Sequence, residues 1–477
     1  MPTDPLSQAR SLLERGRAAD ARAVLAPAMA SGLEGAPVRS LMGFILHQLG
    51  DLPGCAAQLR EAVRLAPGDG GAQFALASIL FRLGEEAEAE AATRRAIALG
   101  LDDIHSASLL GRILGKQGRF AQAESAWRKA VGFDPASPQA QRELADLVWM
   151  QAGDIARARA ALDAAPQSHE IVAITVRLLQ AAGDEAGAFA LASARAERDP
   201  GLRVLAARAG LRVDPAAADR HLTAAPPDAT PGLRAKAEIE VDLALGRIAQ
   251  AVKRAEALHA ARPNDHHATA LLAMAWRLAG DPRYGGLYDY GRLVKSFRID
   301  PPEGWSSVED YLADLGAALD TIHGPLTHPV TQSLRHGSQT TRSLMDYPDP
   351  AIRALFGAID APIRRHIAAI GPPQDYRVAS AWSVRLNSGG FHVDHIHPEG
   401  WLSSAFYVRT PKGIQGDEGA LKFGEPGPPT LPPLGPDHLV RPEPGMLVLF
   451  PAYMWHGTVP FASGEKRLTC AFDIVKR

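Results

Sequence analysis

The chain has 477 residues, and its 51 lysines and arginines nearly balance its 53 aspartates and glutamates, which leaves a net charge of −2. This balance argues against a general nucleic-acid or anionic-membrane binder, because both need a basic excess. No apolar run approaches the length of a membrane span, and two cysteines exclude a disulfide scaffold. At roughly 150 residues per domain the length suggests about three domains. None of the eight tyrosines lies in the first 280 residues, so two kinds of structure are expected.

Glycines recur with a period near 34 residues through this first part, at Gly16, Gly50, Gly84, Gly118, Gly153, Gly183, Gly246 and Gly280. A small residue follows most of them by five positions, as in Ala21, Cys55 and Ala89. Each glycine predicts the end of one helix, and each small residue lets a second helix approach closely. The pattern resembles the tetratricopeptide repeat over about residues 5–280, in seven to eight hairpins. The resemblance implies a solenoid domain at 1–280 whose groove binds a protein or peptide.

The second part, 281–477, has a different pattern. Helices are predicted at 306–319 and 349–370, and 281–375 is interpreted as helical support for the segment that follows. From residue 376 the apolar residues alternate with polar ones, which is typical of strands. Further strand-like runs are predicted at 402–408, 420–423, 446–450 and 467–475. Short strands between glycine- and proline-rich loops predict a jelly roll (a double-stranded β-helix, cupin-like) at 376–477, and so a multidomain α + β protein.

Two segments of this second part are rich in residues that bind metals. The sequence FHVDHIHP contains His392, His395 and His397, and the sequence PAYMWHG contains His456. In an extended strand His395 and His397 project to the same face, and a histidine from a distant strand can complete the set. Three ligands on one face leave positions open, which suits Fe(II) chemistry with oxygen. Arg467, deeper in the barrel, can hold a carboxylate through a bidentate contact.

Several sequence elements in the same order resemble the 2-oxoglutarate/Fe(II)-dependent oxygenases, in a bacterial subfamily with an HxHP…SGxYYV pattern. The elements are QSLRHGSQT (332–340), HIHP (395–398), WLSSAFYV (401–408), GALKF (419–423) and PGMLVLFP (444–451). With His456 and Arg467 they extend the resemblance over about residues 325–475. The resemblance implies that His395 is the first iron ligand, His456 the distal ligand, and Arg467 the anchor for the far carboxylate of 2-oxoglutarate.

The sequence departs from the usual HxD…H ligand set of this superfamily, because His397 stands two positions after His395. A literal HxD also occurs, as His392 and Asp394. Two sets therefore compete: His395, His397 and His456, which we favour, and His392, Asp394 and His456. Two ligands plus water, or a mixed set, are further alternatives. A ligating histidine needs an acceptor for its other ring nitrogen, and an unused residue, Asp394 especially, can supply it.

Four other residues are candidates for contacts around the site. Thr469 shares the strand face of Arg467 and can add a hydroxyl contact to the cosubstrate. Arg385 can face the pocket and bind the cosubstrate, although packing at the rim explains it equally well. Arg335 and Gln339, in the QSLRHGSQT element, can close over the site.

The resemblance implies a hydroxylating dioxygenase with Fe(II) as cofactor and 2-oxoglutarate as cosubstrate. The pairing with repeats suggests a protein or peptide substrate, and neither nucleic acid nor membrane is expected as a partner. One alternative is a non-catalytic repeat adaptor with a degenerate cupin-like domain, and another is a metal-dependent cupin enzyme that does not use 2-oxoglutarate. Because no secretory signal is apparent and ferrous iron needs a reducing compartment, we expect a cytoplasmic protein.

Overall fold

The computed structural model describes residues 4–324 and 327–477. They divide into two compact units, one that ends at Leu144 and one that runs from Ala145 to Arg477. The functional division at residue 280 stays a prediction, because the second unit contains repeat helices as well as the strands. None of the helices in the described ranges is long and apolar enough to cross a membrane.

The first unit consists of helical hairpins. Its helices are α1 (Pro5–Glu14), α2 (Ala18–Ala30), α3 (Ala36–Gln48), α4 (Leu52–Leu65), α5 (Gly70–Leu83), α6 (Glu86–Ala98), α7 (Ile104–Lys116), α8 (Phe120–Phe133) and the start of α9 (Pro138–Ala152). The predicted glycines end the first helix of each hairpin in the left-handed region, with φ of 82° at Gly50 and 80° at Gly84. The small residues five positions later are buried, with Cys55 1% exposed and Ala89 0%. The repeat pattern therefore predicted both the turns and the packing.

Helical hairpins continue in the second unit after α9. They comprise α10 (Ile155–Ala164), α11 (His169–Ala181), α12 (Glu185–Arg198), α13 (Arg203–Gly210), α14 (Pro215–Thr223), α15 (Pro231–Ala244), α16 (Ile248–Ala261) and α17 (His266–Ala279), with a short 3-10 helix at Pro200–Leu202. Helices α15 and α17 pack against the β domain, where Leu243 and Leu271 share a buried cluster with Phe450 and Trp455. This packing brings repeat helices next to the strands.

The β domain begins after α17. Its helices are α18 (Tyr284–Leu287), α19 (Tyr290–Leu293), α20 (Val308–Ile322) and α21 (Pro350–Ile370), with a 3-10 helix at Leu344–Asp346. Its strands are β1 (Lys295–Arg298), β2 (Leu334–Gln339), β3 (Tyr376–His392), β4 (Leu402–Arg409), β5 (Leu421–Phe423), β6 (His438–Val440), β7 (Met446–Pro451), β8 (His456–Thr458) and β9 (Arg467–Lys476). The predicted fold class, helical repeats followed by a strand domain with supporting helices, is confirmed.

The strands form two antiparallel sheets, one of six strands in the order β1-β7-β4-β9-β3-β2 and one of three in the order β6-β5-β8. One face of the large sheet packs against α20 and α21, with Leu468 and Phe472 of β9 in the same buried cluster as Leu315 and Leu355. Because side chains alternate along a strand, the intervening residues of β9 face the other way, where the site lies.

The adjacent glycines Gly389 and Gly390 do not form a chain-reversing turn. Both residues lie within β3, which is 17 residues long, and the pairing of β2 with β3 shifts in register beside them. Gly389 has φ of 74°, and a Cβ on Gly390 would lie 2.7 Å from the Asn387 carbonyl oxygen. The two glycines therefore permit a bulge that bends the strand, and the chain does not reverse there.

Candidate metal and cosubstrate site

The two histidine segments meet through the backbone. The His395 amide donates to the His456 carbonyl oxygen at 2.9 Å, and the His456 amide donates to the His395 carbonyl oxygen at 3.0 Å. His395 lies outside a regular strand, because β3 ends at His392. The expected extended strand through His397 is therefore absent, yet the side chains of His395 and His397 still converge.

One ring nitrogen from each of His395, His397 and His456 lies within 4.8 Å of the others. The Nε2 atoms of His395 and His397 are 3.2 Å apart. Within residues 4–324 and 327–477, this is the set of three metal-ligating side chains that the fold brings together. The set is the one that the sequence favoured as ligands.

Each of these histidines uses its Nδ1 atom elsewhere. The Nδ1 atom of His395 lies 2.8 Å from the Val393 carbonyl oxygen, and that of His456 lies 2.9 Å from the Met454 carbonyl oxygen. The Nδ1 atom of His397 lies 2.8 Å from a carboxylate oxygen of Asp473. Because carbonyl and carboxylate oxygens accept hydrogen bonds, each Nδ1 carries the proton and each Nε2 keeps a free lone pair.

The surroundings of His395 and His456 favour neutral rings. Burial, followed by repulsion from His397, lowers the pKa of His395 to about 3. Burial also lowers the pKa of His456 well below its usual value, and His395 adds to this effect. Phe450 and Phe423 pack beside the His456 ring, with centroid distances of 4.6 and 6.3 Å. Neutral imidazoles in an apolar setting are suitable metal ligands.

The alternative ligands His392 and Asp394 make other contacts. The His392 Nδ1 atom lies 2.9 Å from the Ser333 hydroxyl oxygen. One Asp394 oxygen accepts from the Lys422 ammonium group at 2.9 Å. Burial raises the pKa of Asp394 to about 6, although Lys422 opposes this shift. Asp394 therefore forms an ion pair with Lys422. The acceptor role that the sequence suggested for it, towards the second ring nitrogen of a histidine, belongs to another residue.

That residue is Asp473, which the sequence interpretation missed. One of its oxygens contacts the Nδ1 atom of His397 and also accepts from the Ser403 hydroxyl at 2.9 Å. Asp473 lies on β9, six positions after Arg467 and four after Thr469, so the three side chains share one face of the strand. All three line the same cavity. The alternation of β9 could have identified Asp473, because every second residue after Thr469 points to the same face.

Arg467 is buried, with 3% of its surface exposed. Its Nη1 atom donates to the Gly419 carbonyl oxygen at 3.0 Å, and its guanidinium carbon lies 4.9 Å from the Tyr407 ring centroid. Its Nε atom has no hydrogen-bond partner among the described residues. Burial lowers the pKa of Arg467 below its usual value. A buried cation with an unpaired donor fits a site for an anionic ligand.

Thr469 and Arg385 occupy opposite faces of the large sheet. Thr469 lines the cavity with Arg467, and its hydroxyl donates to the Val384 carbonyl oxygen at 3.4 Å. Arg385 points away, and its Nη2 atom donates to the carbonyl oxygens of His323 and Gly324 at 3.4 and 3.2 Å. The structure therefore does not bring Arg385 to the cavity, because Val384, its neighbour on β3, takes the inward position.

The site lies in a cavity of about 740 Å³. Ser333 stands between two of its histidines, with its hydroxyl oxygen 2.9 Å from the His392 Nδ1 atom and 3.2 Å from the His395 Nε2 atom. Trp382 stacks on His397 with ring centroids 5.9 Å apart. Arg335 and Gln339 also line the cavity, as their proposed closing role requires.

A glycine next to the distal histidine permits the close approach of the two segments. A Cβ on Gly457 would lie 2.5 Å from an Asp394 carboxylate oxygen and 2.9 Å from the His392 carbonyl oxygen. Any side chain at this position would push the two segments apart. The geometry of the site therefore depends on the absence of a side chain directly after His456.

Residues 380–473 match the model of a family described as "Putative 2OG-Fe(II) oxygenase". Residues 45–103 and 108–170 match the tetratricopeptide repeat. No curated protein sequence matches the chain. Both matches agree with the resemblances found in the sequence elements and in the glycine period.

Two solved structures illustrate the similarity of the repeats. A structure titled "Functional Characterization of Pseudomonas Aeruginosa pilF" is 17% identical with a TM-score of 0.33, over 41% of this chain and 91% of that one. MamA from Desulfovibrio magneticus RS-1 is 19% identical with a TM-score of 0.32, over 34% and 94%. Such low scores support no conclusion about function. The family matches establish that this chain combines tetratricopeptide repeats with a segment similar to the 2OG-Fe(II) oxygenases.

Proposed function

We propose that the protein is an Fe(II)- and 2-oxoglutarate-dependent oxygenase that hydroxylates a protein or peptide. One observation carries the proposal. Three histidines place ring nitrogens within 4.8 Å of one another, and each has its Nδ1 atom bound to an oxygen acceptor. The family match over 380–473 supports the same chemistry.

The residues present fit ferrous iron. His395, His397 and His456 would hold the ion through nitrogen atoms, and imidazole is a ligand that suits iron. Bound Fe(II) supplies the redox chemistry that couples oxidative decarboxylation of 2-oxoglutarate to hydroxylation of a C–H bond. A carboxylate, Asp473, lies one hydrogen bond behind His397, and there it holds the ring in a fixed orientation.

Arg467 is the proposed anchor of the cosubstrate. Its free Nε donor and its burial on the inner face of β9 suit a carboxylate, which would then be recognised by a charge-assisted hydrogen bond. Thr469, two positions along the same face, is placed to add a hydroxyl contact. Phe450 packs against His456 and keeps bulk water from that side of the site.

The substrate is proposed from the domain combination. Tetratricopeptide repeats are protein-interaction modules, and repeat arrays present extended binding surfaces. We therefore propose that the repeats recruit a protein or peptide to the oxygenase segment. Ferrous iron needs a reducing compartment, which supports the cytoplasm as the proposed location.

Metal and cosubstrate binding give the first test. The full-length protein, freed of metal and titrated anaerobically with Fe(II), is expected to bind one ion and then 2-oxoglutarate in a calorimeter. Succinate release in air would report turnover, and His456→Ala should abolish both Fe(II)-dependent binding and turnover. A wild-type protein that binds no 2-oxoglutarate in the presence of Fe(II) would contradict the proposal and favour an adaptor with a degenerate domain.

A second arm separates 2-oxoglutarate use from other metal chemistry. Fe(II) binding without a requirement for 2-oxoglutarate in turnover would favour a metal-dependent cupin enzyme. Arg467→Gln is informative here, because only the 2-oxoglutarate reaction requires this guanidinium for cosubstrate affinity. Arg353→Gln, an exposed arginine of α21 outside the cavity, is the matched control.

A further inference from the structure

A repeat helix and the QSLRHGSQT element line the same cavity. Helix α11 contributes Arg177 and Gln180, and the element contributes Gln332 and Arg335. The metal and cosubstrate residues described above do not use these four side chains. They form the part of the cavity lining that a third molecule, the substrate, can contact.

Hydrogen bonds link the segment just before the QSLRHGSQT element to two repeat helices. The His328 Nε2 atom donates to the carbonyl oxygen of Ala181 at 3.1 Å, and Ala181 is the last residue of α11. The Trp149 indole nitrogen donates to the His328 carbonyl oxygen at 2.9 Å, and the two rings meet edge to face with centroids 5.4 Å apart. His328 is thus bonded to both α9 and α11, which places the segment that follows it, with Gln332 and Arg335, beside α11.

Arg335 is a half-buried cation in this lining. Its Nη1 atom donates to the carbonyl oxygens of Gln332 and Leu334, both at 2.9 Å, which orients the guanidinium group along its own strand. Among the described residues no carboxylate forms an ion pair with it. Burial lowers the pKa of Arg335 below its usual value, while the charge of Glu185 opposes this. A partly desolvated guanidinium group with free N–H donors is suited to bind an anion.

The rest of the lining has few negative charges to serve as that anion. Asp473 is already bonded to His397 and Ser403, and Glu399 is exposed. Arg177 is exposed, lines the cavity, and has no ion pair within the described ranges. Two arginines, Arg177 on a repeat helix and Arg335 on strand β2, are therefore available to a ligand that enters the cavity.

We propose that Arg335 and Arg177 bind an acidic side chain of the substrate peptide and so place a neighbouring residue at the three histidines. This inference rests on the proposed function and adds the class of substrate, a segment containing aspartate or glutamate. A cavity of about 740 Å³ belongs to the size range that holds drug-sized ligands, so a peptide residue fits beside a small cosubstrate. Arginine forks suit carboxylates through paired hydrogen bonds.

The test compares two fluorescein-labelled pools of random peptides that differ at two central positions, Asp-Glu in one and Asn-Gln in the other. Anisotropy is measured anaerobically with the full-length protein, Mn(II) and 2-oxoglutarate. We expect the acidic pool to bind about tenfold more tightly, because hydrogen bonds between two charged groups are stronger than those with a neutral partner. Arg335→Gln should remove this preference, Arg177→Gln should reduce it, and Arg335→Lys should retain part of it. Arg353→Gln should not affect it.

Equal binding of the two pools to the wild-type protein would overturn the inference, as would an unchanged preference in Arg335→Gln. Arg177 is exposed, so its variant gives a reading that does not depend on folding of the cavity. Calorimetry with 2-oxoglutarate on the same samples separates the two proposals. A protein that prefers acidic peptides but binds no 2-oxoglutarate would contradict only the oxygenase. If Arg335→Gln weakens 2-oxoglutarate as strongly as Arg467→Gln, Arg335 belongs to the cosubstrate site and the inference fails.

Discussion

The Nδ1 atom of His397 lies 2.8 Å from a carboxylate oxygen of Asp473. In the usual two-histidine, one-carboxylate set, the carboxylate binds the metal directly. In the ligand set that we propose, His397 takes that position, and the negative charge of Asp473 stands one hydrogen bond further away. The Ser403 hydroxyl donates to the same carboxylate oxygen and fixes its direction. A metal held by the three histidines would therefore have a carboxylate nearby, in a supporting position.

Asp473→Asn tests this supporting role. The amide keeps the size of the side chain but loses the charge, so it holds the ring of His397 less firmly. We expect the affinity for Fe(II) to fall about 10- to 100-fold, as for other partners of metal-ligating histidines. Anaerobic calorimetry measures it, and Ser403→Ala should give a smaller loss. An unchanged affinity would show that Asp473 does not support the metal site.

Asp394→Asn and His397→Ala distinguish the two ligand sets left open by the sequence. The Asp394 carboxylate pairs with Lys422, whereas His397 belongs to the converging group. We expect His397→Ala to lose at least about a hundredfold in Fe(II) affinity, more than the loss of a supporting hydrogen bond costs. Asp394→Asn should change it little, because Lys422 retains Glu425 at 2.6 Å. The reverse order of effects would favour His392, Asp394 and His456.

Arg467→Gln tests the cosubstrate anchor. Loss of a charge-assisted hydrogen bond should weaken 2-oxoglutarate binding about 10- to 100-fold while Fe(II) binding stays intact. Thr469→Val should weaken the binding of 2-oxoglutarate by only a few-fold, because a hydrogen bond from an uncharged hydroxyl contributes less than one from a guanidinium group. Calorimetric titration of both ligands gives the two affinities separately. Equal 2-oxoglutarate affinity in wild type and Arg467→Gln would remove Arg467 from the cosubstrate site.

The features predictable from the sequence are those set by local geometry. Gly50 and Gly84 were identified because a left-handed turn needs glycine, and the structure has positive φ at both. His395 and His397 were paired because they are two residues apart. The sequence does not predict which face of the sheet carries Arg385. Alternation sorts the side chains of β3 into two faces, but it does not show which face α20 and α21 cover. To predict the role of Asp473, one needs to know both which face of β9 lines the cavity and that this face contacts the distant His397.

The contribution of a buried histidine to stability depends on whether its nitrogens are bonded, and two histidines of the β domain show the contrast. His366 on α21 is 0% exposed, and neither ring nitrogen has a partner among the described residues. His323 is also buried, but its Nδ1 and Nε2 atoms each lie 3.0 Å from a serine hydroxyl, of Ser338 and Ser383. Burial lowers the pKa of both histidines from 6.5 to about 4.

The same substitution should therefore have opposite effects at these two positions. His366→Leu removes buried unpaired nitrogens and should raise the free energy of unfolding at pH 8 by about 1–2 kcal/mol, whereas His323→Leu leaves serine hydroxyls unpaired and should lower it. Because the folded pKa is depressed, the unfolded chain takes up the proton first, and stability is lost as pH falls from 6.5 towards 4. Each histidine contributes up to about 3 kcal/mol to this loss. Denaturant unfolding at several pH values should show a flatter acid limb in both variants; changes of the same sign at pH 8 would contradict the role assigned to the hydrogen bonds.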